Sequence, residues 1–314
     1  MRNPNDLENI TAVIVTYNIQ NAFIKNIESL YNQVGQIIIV DNNSNDDSLS
    51  ILTGIIQEHS DIILINNKEN LGLSKAQNIG IRKSFERDSC KWILLLDDDS
   101  SLAENMTSNM LKSYENNIDK DKIGLITPRI KDIKNGRDYP CLMKKNNFIF
   151  KRYFLKENEE SKNGLFCALA SGSLIKRDVL EEIGLMNEAY FIDFIDWDFA
   201  IRLQKSNRII ICAGNAILYH QLGNKTSHHL LGKEFITTNQ PPNRRFTSSK
   251  NRILFIRNNL FNSPAILLYL CMTMGYEIML VILFEENKFS KLIESCKGMF
   301  AGVFTINTDI IPKL

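Results

Sequence analysis

The chain has 314 residues, 44% hydrophobic and 23% charged, which suffices for one large α/β domain with an appendage or for two domains and argues against wholesale disorder. Its 37 Lys and Arg stand against 36 Asp and Glu, so there is no electrostatic case for nucleic acid as a partner. The six cysteines are scattered without a CxxC pair, a usage that fits reduced cytoplasmic thiols rather than a disulfide framework or a zinc site.

The start, MRNPNDLENI, is acidic where a signal peptide is basic, and no apolar h-region follows, so a cytoplasmic location is expected. Residues 10–16, ITAVIVT, read as a strand covered on both faces, left through Tyr17 and Asn18. Phe23, Ile27 and Leu30 give residues 21–31 a helical spacing. QIIIVD at 36–41 is a second strand, ending on a carboxylate; the turn 42–46, a helix over 47–58 and a third strand over 61–65 follow. Residues 70–74 form a loop containing Gly72, and Ser74 or a neighbour is expected to cap a helix running to about 87. WILLL at 92–96 is a fourth strand, so the βαβ rhythm predicts a mainly parallel sheet with ligands beyond the carboxyl ends of its strands. Thr16, Tyr17, Asp41, Asn43 and Asp97 to Asp99 stand at those ends. The asparagines of 42–45 read equally as turn formers, whereas Asp41 closes its strand where a ribose or base could be gripped.

The abrupt stop at Asp97, Asp98 and Asp99 is the strongest signal. Three adjacent carboxylates repel one another, and at the end of a buried strand they call for a hard divalent cation, Mg²⁺ or Mn²⁺, of the kind that also holds substrate phosphates. An acidic surface turn is the alternative. A helix over 103–116 and a strand over 123–130 come next; residues 132–162 are polar and patternless, and read as a variable insertion or lid. Residues 164–175 form a strand-like run around Ser171-Gly172-Ser173, and 177–183 a short helix closed by Gly184. In FIDFIDWDFAIR, residues 191–202, aspartates sit among large apolar groups, where they need partners or a task. Asp198 and Arg202 are four apart and can pair, leaving Asp196 as a helix N-cap or a free base. After a strand over 209–213, LYHQLG at 218–223 carries His220, a structural histidine or a metal ligand. Residues 243–259, with Arg244, Arg245, Lys250, Arg252 and Arg257, read as a solvated basic face or as a loop neutralising a diphosphate. Residues 264–284 just reach the length of a membrane span, but Gly275 and Glu277 interrupt them. With Lys288, Lys291, Lys297 and the apolar patch 299–306, they fit helices lying in a membrane interface, or a helical hairpin closing a homodimer.

IVTYN (14–18), IIIVDNNSND (37–46), NLGLSKAQNIG (70–80) and LLLDDDS (94–100), followed by FIDFIDWDFAIR and YHQLG, together resemble the family 2 glycosyltransferases over residues 10–225 and more weakly to 259. Within that family the likeness is to bacterial rhamnosyltransferases. Their Asp-Gln-Asp-Ser motif is met by Asp97, Asp99 and Ser100, with Asp98 replacing the glutamine; Phe191-Ile192-Asp193 and His220-Gln221-Leu222-Gly223 also match. Their later Arg-x-Tyr-Tyr-x-x-Arg-Asn stands here as residues 244–251, RRFTSSKN, with both tyrosines and one arginine replaced, a departure that bears on the donor sugar and not on the reaction class.

The resemblance implies a GT-A fold over residues 1–225, with a nucleotide-binding half at about 8–130 and an acceptor half at about 131–225. Residues 226–314 would add the basic loop and membrane-associated helices. It implies inverting transfer from a nucleoside-diphosphate sugar, dTDP-rhamnose or a UDP-sugar, to a saccharide or polyprenyl-diphosphate-linked acceptor in surface polysaccharide synthesis, on the inner face of the cell membrane. Thr16, Tyr17, Asn18, Asp41 and Asn43 would serve the nucleoside, and Asn70, Gly72 and Asn78 would shape its pocket. Asp97 and Asp98 would meet ribose and sugar, and Arg244 and Arg245 the diphosphate. Asp99, with Asp97 and His220, would hold Mg²⁺ or Mn²⁺, and Asp196 would be the base. The rival readings are a nucleotidyltransferase, whose Gly-rich basic loop VTYNIQNAF does not resemble, and a non-catalytic sugar-nucleotide-binding scaffold at the membrane.

Overall fold

The computed structural model describes residues 5–59, 61–145, 149–156, 159, 164–221, 225–259, 264–306 and 310–313. A short helix, α1 (Asn5–Glu8), leads into β1 (Ile10–Thr16), α2 (Ala22–Glu28), β2 (Gln36–Asp41), α3 (Asp46–Glu58), β3 (Ile62–Asn66), α4 (Leu73–Ser84) and β4 (Trp92–Asp97). Then come β5 (Ser100–Leu102), α5 (Met106–Glu115), β6 (Ile123–Asp132), β7 (Cys141–Lys144), β8 (Phe150–Tyr153), β9 (Leu165–Cys167), β10 (Leu174–Lys176) and α6 (Arg177–Ile183). The chain continues through α7 (Ile195–Lys205), β11 (Ile209–His220), β12 (Thr226–Leu230), β13 (Lys233–Thr237), α8 (Pro242–Asn259), α9 (Pro264–Phe284) and α10 (Lys288–Phe304).

One sheet of eight strands, in the order β3-β2-β1-β4-β10-β6-β11-β5, carries the fold. β3, β2, β1 and β4 are mutually parallel, as the βαβ rhythm predicts, and β10 and β5 run against their neighbours. Every residue of β1 is buried. Ile10, Ala12 and Ile14 face α2, α3 and α5, while Val13 packs with the α6–α8 side and Val15 with Ala76 of α4, so the two-residue period of the strand is used on both faces. Strand order runs outward from β1 in both directions, which makes the β1/β4 junction a switch point and opens a crevice at their carboxyl ends.

The structure corrects several local expectations. Ser74 does not cap α4; its hydroxyl donates to the Tyr190 carbonyl at 2.7 Å, and Gly72 holds the cap position. Part of the 132–162 insertion is regular: β7 pairs with both β8 and β9 in a separate three-stranded sheet, while 146–148, 157, 158 and 160–162 lie outside the described residues. The strand-like run 164–175 is two strands, β9 and β10, belonging to different sheets. The stretch 243–259 is not a loop but lies within α8, because its apolar residues recur at helical spacing and Leu254 and Phe255 are buried.

Helix α10 lies directly against α8: a β-carbon added at Gly298 would stand 2.2 Å from the Phe246 carbonyl oxygen, and one at Gly302 2.6 Å from that of Lys250. This contact fixes the C-terminal helices to the domain. Gly298→Val should therefore lower stability by about 1–3 kcal/mol, read as a lower denaturant midpoint; an unchanged midpoint would show that the two helices separate without consequence.

Candidate active site

The crevice is a cleft of about 810 Å³. Of the residues singled out in the sequence, Thr16, Tyr17, Asn70, Gly72, Asp97, Asp98, Asp99, Asp196, His220, Arg244 and Arg245 line it. Asn18, Asp41, Asn43 and Asn78 do not. Asp41 is buried behind the wall, accepting from Thr16 Oγ1 at 3.0 Å, Ser44 Oγ at 2.5 Å and Ser44 N at 2.9 Å. Asn18 accepts from the Asn45 N–H at 3.0 Å, and Asn43 is exposed with φ of 65°. Asn78 is fully buried and fastens the start of the 186–194 segment, donating to the Met186 carbonyl and accepting from its N–H, each at 2.9 Å. Asn42, a turn residue in the sequence, takes up the work of shaping the wall: it donates to Asn70 Oδ1 at 2.9 Å and accepts from Leu71 N at 3.0 Å.

Gly72 is where the two sides of the cleft meet. Its φ is +83°, and a β-carbon there would lie 2.6 Å from the Phe191 ring and 2.7 Å from the Phe191 carbonyl oxygen. Only glycine allows this approach. Next to it the Leu73 N–H donates to the same carbonyl at 2.7 Å.

At the end of β4, three ligand-bearing groups converge: one atom each from Asp97, Asp99 and His220 lie within 4.8 Å of one another. His220 Nδ1 is 2.8 Å from Ser100 Oγ and 2.9 Å from Asp99 Oδ1, and Nε2 is 3.9 Å from Asp97 Oδ2. Ser171, which the sequence marked only as part of a strand-like run, holds this corner together: its hydroxyl is 2.7 Å from Ser100 Oγ and 3.0 Å from the Asp97 N–H it accepts from. Leu222 and Gly223 of the YHQLG motif lie outside the described residues. Burial pushes Asp97 up to about 6 despite His220, and pushes Asp98 up to about 7 despite the Tyr17 N–H at 3.3 Å. Burial alone would lower His220, but its contact with Asp99 and the charges of Asp97 and Asp98 raise it.

These residues fit a divalent cation. Asp99 Oδ1 is buried without a well-aligned hydrogen bond, the donor set is two carboxylates and an imidazole, and the carboxylates crowd one another without a matching positive charge. Such a set suits Mn²⁺ or Mg²⁺.

Also on the cleft wall, Asp193 and Phe194 both have left-handed backbones, with φ of 63° and 64°. Non-glycine residues adopt that region at a cost of about 1–2 kcal/mol each, so the turn is held from several sides. Arg244 donates to Asp193 Oδ1 at 2.6 Å, Asn251 donates to the Ile192 carbonyl at 2.6 Å, and the Asp198 N–H reaches the Phe194 carbonyl at 2.9 Å. The turn starts α7 one residue earlier than expected. Asp196 therefore lies inside the first turn and is not the cap; its Oδ1 accepts from the adjacent Trp197 N–H at 2.9 Å. Burial, then the charge of Asp193, pushes its carboxyl up to about 7.

Asp198 and Arg202 pair as the spacing predicts, at 2.9 Å and largely buried, and Arg202 also donates to the carbonyls of Ile183, Gly184 and Leu185. The other arginines differ from expectation. Arg245 is buried and donates to Glu285, just past the end of α9, at 2.7 Å, and Arg252 donates to Glu277 of α9 at 2.7 Å, so both are already neutralised. The acidic partners lie 25 and 40 residues away, beyond any local spacing rule.

With fold and site in place, the comparisons agree. The sequence profile described as "Glycosyl transferase family 2" matches residues 11–184, and the chain belongs to that family. The chain is 29% identical over 262 residues to the "dTDP-rhamnosyl transferase RfbF" of Shigella flexneri, covering 80% of this chain and 81% of the relative. Among solved structures, "GalNAc-T7 with UDP, GalNAc and Mn2+" superimposes with a TM-score of 0.60 at 16% identity, over 80% of this chain and 48% of that one, so the chain spans about half its length. The mannosyltransferase PcManGT of Pyrobaculum calidifontis, "in complex with GDP-Man and Mn2+", superimposes with a TM-score of 0.51 at 12% identity, over 95% and 76%. These likenesses establish a GT-A-type α/β fold.

Removing one partner of a buried ion pair strands the other charge. Asp198→Asn should lower stability by about 3 kcal/mol, at the lower end for a buried pair because Arg202 keeps three carbonyl acceptors. A denaturation curve matching wild type would show that the pair is dispensable.

Proposed function

We propose that the protein transfers a sugar, rhamnose, from a nucleoside-diphosphate donor, dTDP-rhamnose in preference to a UDP-sugar, to a saccharide hydroxyl with inversion at the anomeric carbon. The observation that carries this reading is that the Asp97/Asp99/His220 cluster and Asp196 line one cleft. The name of the Shigella relative supports the rhamnosyl donor.

Asp97, Asp99 and His220 would hold Mn²⁺ or Mg²⁺, which when bound supplies positive charge to the departing diphosphate. Thr16, Tyr17, Asn70 and Gly72 would form the wall for the nucleoside. The acceptor oxygen attacks the anomeric carbon as the bond from that carbon to the diphosphate oxygen breaks. The electron pair leaves with the diphosphate, and the acceptor proton passes to Asp196. A carboxylate held near neutral pH is well matched to that proton.

The raised carboxyl fixes the sign of two pH effects. Asp196 works as a base only when ionised, so kcat/KM should rise with pH along a limb centred near or just below 7, about fivefold between pH 6 and 7 if no other group intervenes. Its folded-state value lies above the unfolded one, so ionisation opposes folding and stability is lost as pH rises from about 4 to about 7. Asp196→Asn should therefore lose about 10²–10⁴-fold in transfer, keep donor binding, and melt no lower than wild type at pH 8. Asp99→Asn should lose Mn²⁺-dependent turnover while the fold survives. Near-normal transfer by Asp196→Asn would remove it as the base, and full wild-type activity in chelator would overturn the metal assignment.

We also propose that the enzyme is peripheral on the cytoplasmic face of the cell membrane, acting on a polyprenyl-diphosphate-linked acceptor. Helix α9 is long and apolar enough to cross a membrane by length and composition, yet its Tyr269, Thr273, Glu277 and Leu280 line the cleft. Leu268, Met272, Met279 and Leu283 on α9 and Phe289, Ile293, Phe300 and Phe304 on α10 are exposed, and Lys288 and Lys297 lie on α10. An apolar surface flanked by lysines fits an anionic interface. The protein should sediment with vesicles containing anionic lipid and be released in part by high salt or alkaline carbonate. A dimer indifferent to vesicles would point to self-association through these helices, and retention after both washes to a true span.

A further inference from the structure

Behind Asp196 the cleft opens into a side chamber of about 230 Å³, several times the roughly 30 Å³ of a water molecule. Among mainly apolar neighbours it is lined by three aromatic side chains, Tyr139, Trp197 and Tyr269, with the Trp197 and Tyr269 rings stacked at 5.9 Å and 23°. Arg152 of β8 lines both the chamber and the main cleft, as do Tyr139, Trp197, Tyr269 and Asp196. The chamber thus shares with the cleft the carboxylate that would take the acceptor proton.

Arg152 differs from the other arginines lining the cleft. Arg244, Arg245 and Arg252 each donate to a carboxylate of the chain, at 2.6, 2.7 and 2.7 Å. Among the described residues Arg152 has no ion-pair partner, although its charge is felt at Tyr139. A guanidinium at the mouth of an aromatic chamber, with its fork free, is suited to a planar or tetrahedral oxyanion. The faces of the aromatic rings carry negative charge density and attract the positively polarised C–H bonds of a pyranose.

We propose that this chamber is the acceptor subsite and that it takes an anionic saccharide, one sugar ring against Trp197 and Tyr269 with its carboxylate or phosphate on Arg152. The assignment rests on the transferase reading of the cleft. Arg152 is a specificity determinant for the acceptor and has no part in donor binding. The two sources of the anion, a uronic acid carboxylate and a phosphate ester, share this chemistry and differ in the test.

Trp92 and Trp197 are the two tryptophans of the chain, so a Trp92→Phe background makes Trp197 emission a reporter inside the chamber. In the presence of dTDP and Mn²⁺, that emission is titrated with methyl glucuronoside, glucose 6-phosphate and neutral methyl glucoside. At least one anionic sugar should shift it at a concentration tenfold or more below the neutral one, and which one does so identifies the anion. Arg152→Gln should abolish this preference without altering the melting temperature. dTDP binding by the same samples, followed calorimetrically, reports on the donor cleft separately. Equal response to charged and neutral sugars, a preference that survives Arg152→Gln, or no response by Trp197 to any of the three while dTDP binds would each overturn the proposal.

Discussion

The site is organised by the repulsion of its own carboxylates. Asp97, Asp98, Asp99, Asp193 and Asp196 line one cleft, and burial pushes three of them towards neutrality. Left to themselves, such groups would take up protons or push the walls apart. The surrounding chain restrains them: His220 sits against Asp99, Ser171 accepts the backbone N–H of Asp97, and Arg244 holds Asp193. What these partners do not neutralise is an excess of negative charge of the kind a divalent cation offsets.

This concentration of charge is possible because everything behind it is rigid. β4 is buried along almost its whole length and pairs with β1 on one side and β10 on the other, so Asp97 is delivered at a fixed depth. His220 ends the long strand β11, which pairs with β5 through the His220 and Ser100 positions. The β11–β5 pairing thus brings His220 beside the Asp99–Ser100 turn, while Asp97 arrives on β4, from which β10 and β6 separate β11 in the sheet, so backbone register sets where each group stands. On the same cleft, two successive left-handed residues shape the Phe191–Phe194 turn, and the close approach of Phe191 to Gly72 locks that turn to the start of α4.

Much of this was legible in the sequence, and the parts that were not share a cause. Strands covered on both faces announce themselves as apolar runs, so β1, β2 and β4 and their carboxyl-end residues were readable from local pattern. The Asp198–Arg202 pair follows from helical spacing alone. What escaped was decided at long range. Residues 243–259 read as a solvated basic face or a diphosphate-neutralising loop because the carboxylates that neutralise Arg245 and Arg252 lie far along the chain, Glu277 on α9 and Glu285 just past its end. The N-cap alternative for Asp196 stays open in the sequence because nothing local reveals that Phe194 takes a left-handed backbone. Ser171 had only a Ser-Gly-Ser signature, common in turns, and Asn42 looked like any other asparagine of its turn.

Helix α9 joins the two surfaces that matter for the proposed reaction. Tyr269, Thr273 and Leu280 face the cleft, and Leu268, Met272 and Met279 face outward, an alternation that a 3.6-residue period allows within one helix. Glu277 would be a liability on the outward face, but it pairs with Arg252 and so faces the protein, which explains how a carboxylate is carried in the middle of so apolar a helix. A helix of this kind cannot move on one surface without moving the other. The apolar C-terminal segment is therefore a wall of the cleft as well as an exposed surface, and only the thickness of one helix separates the two.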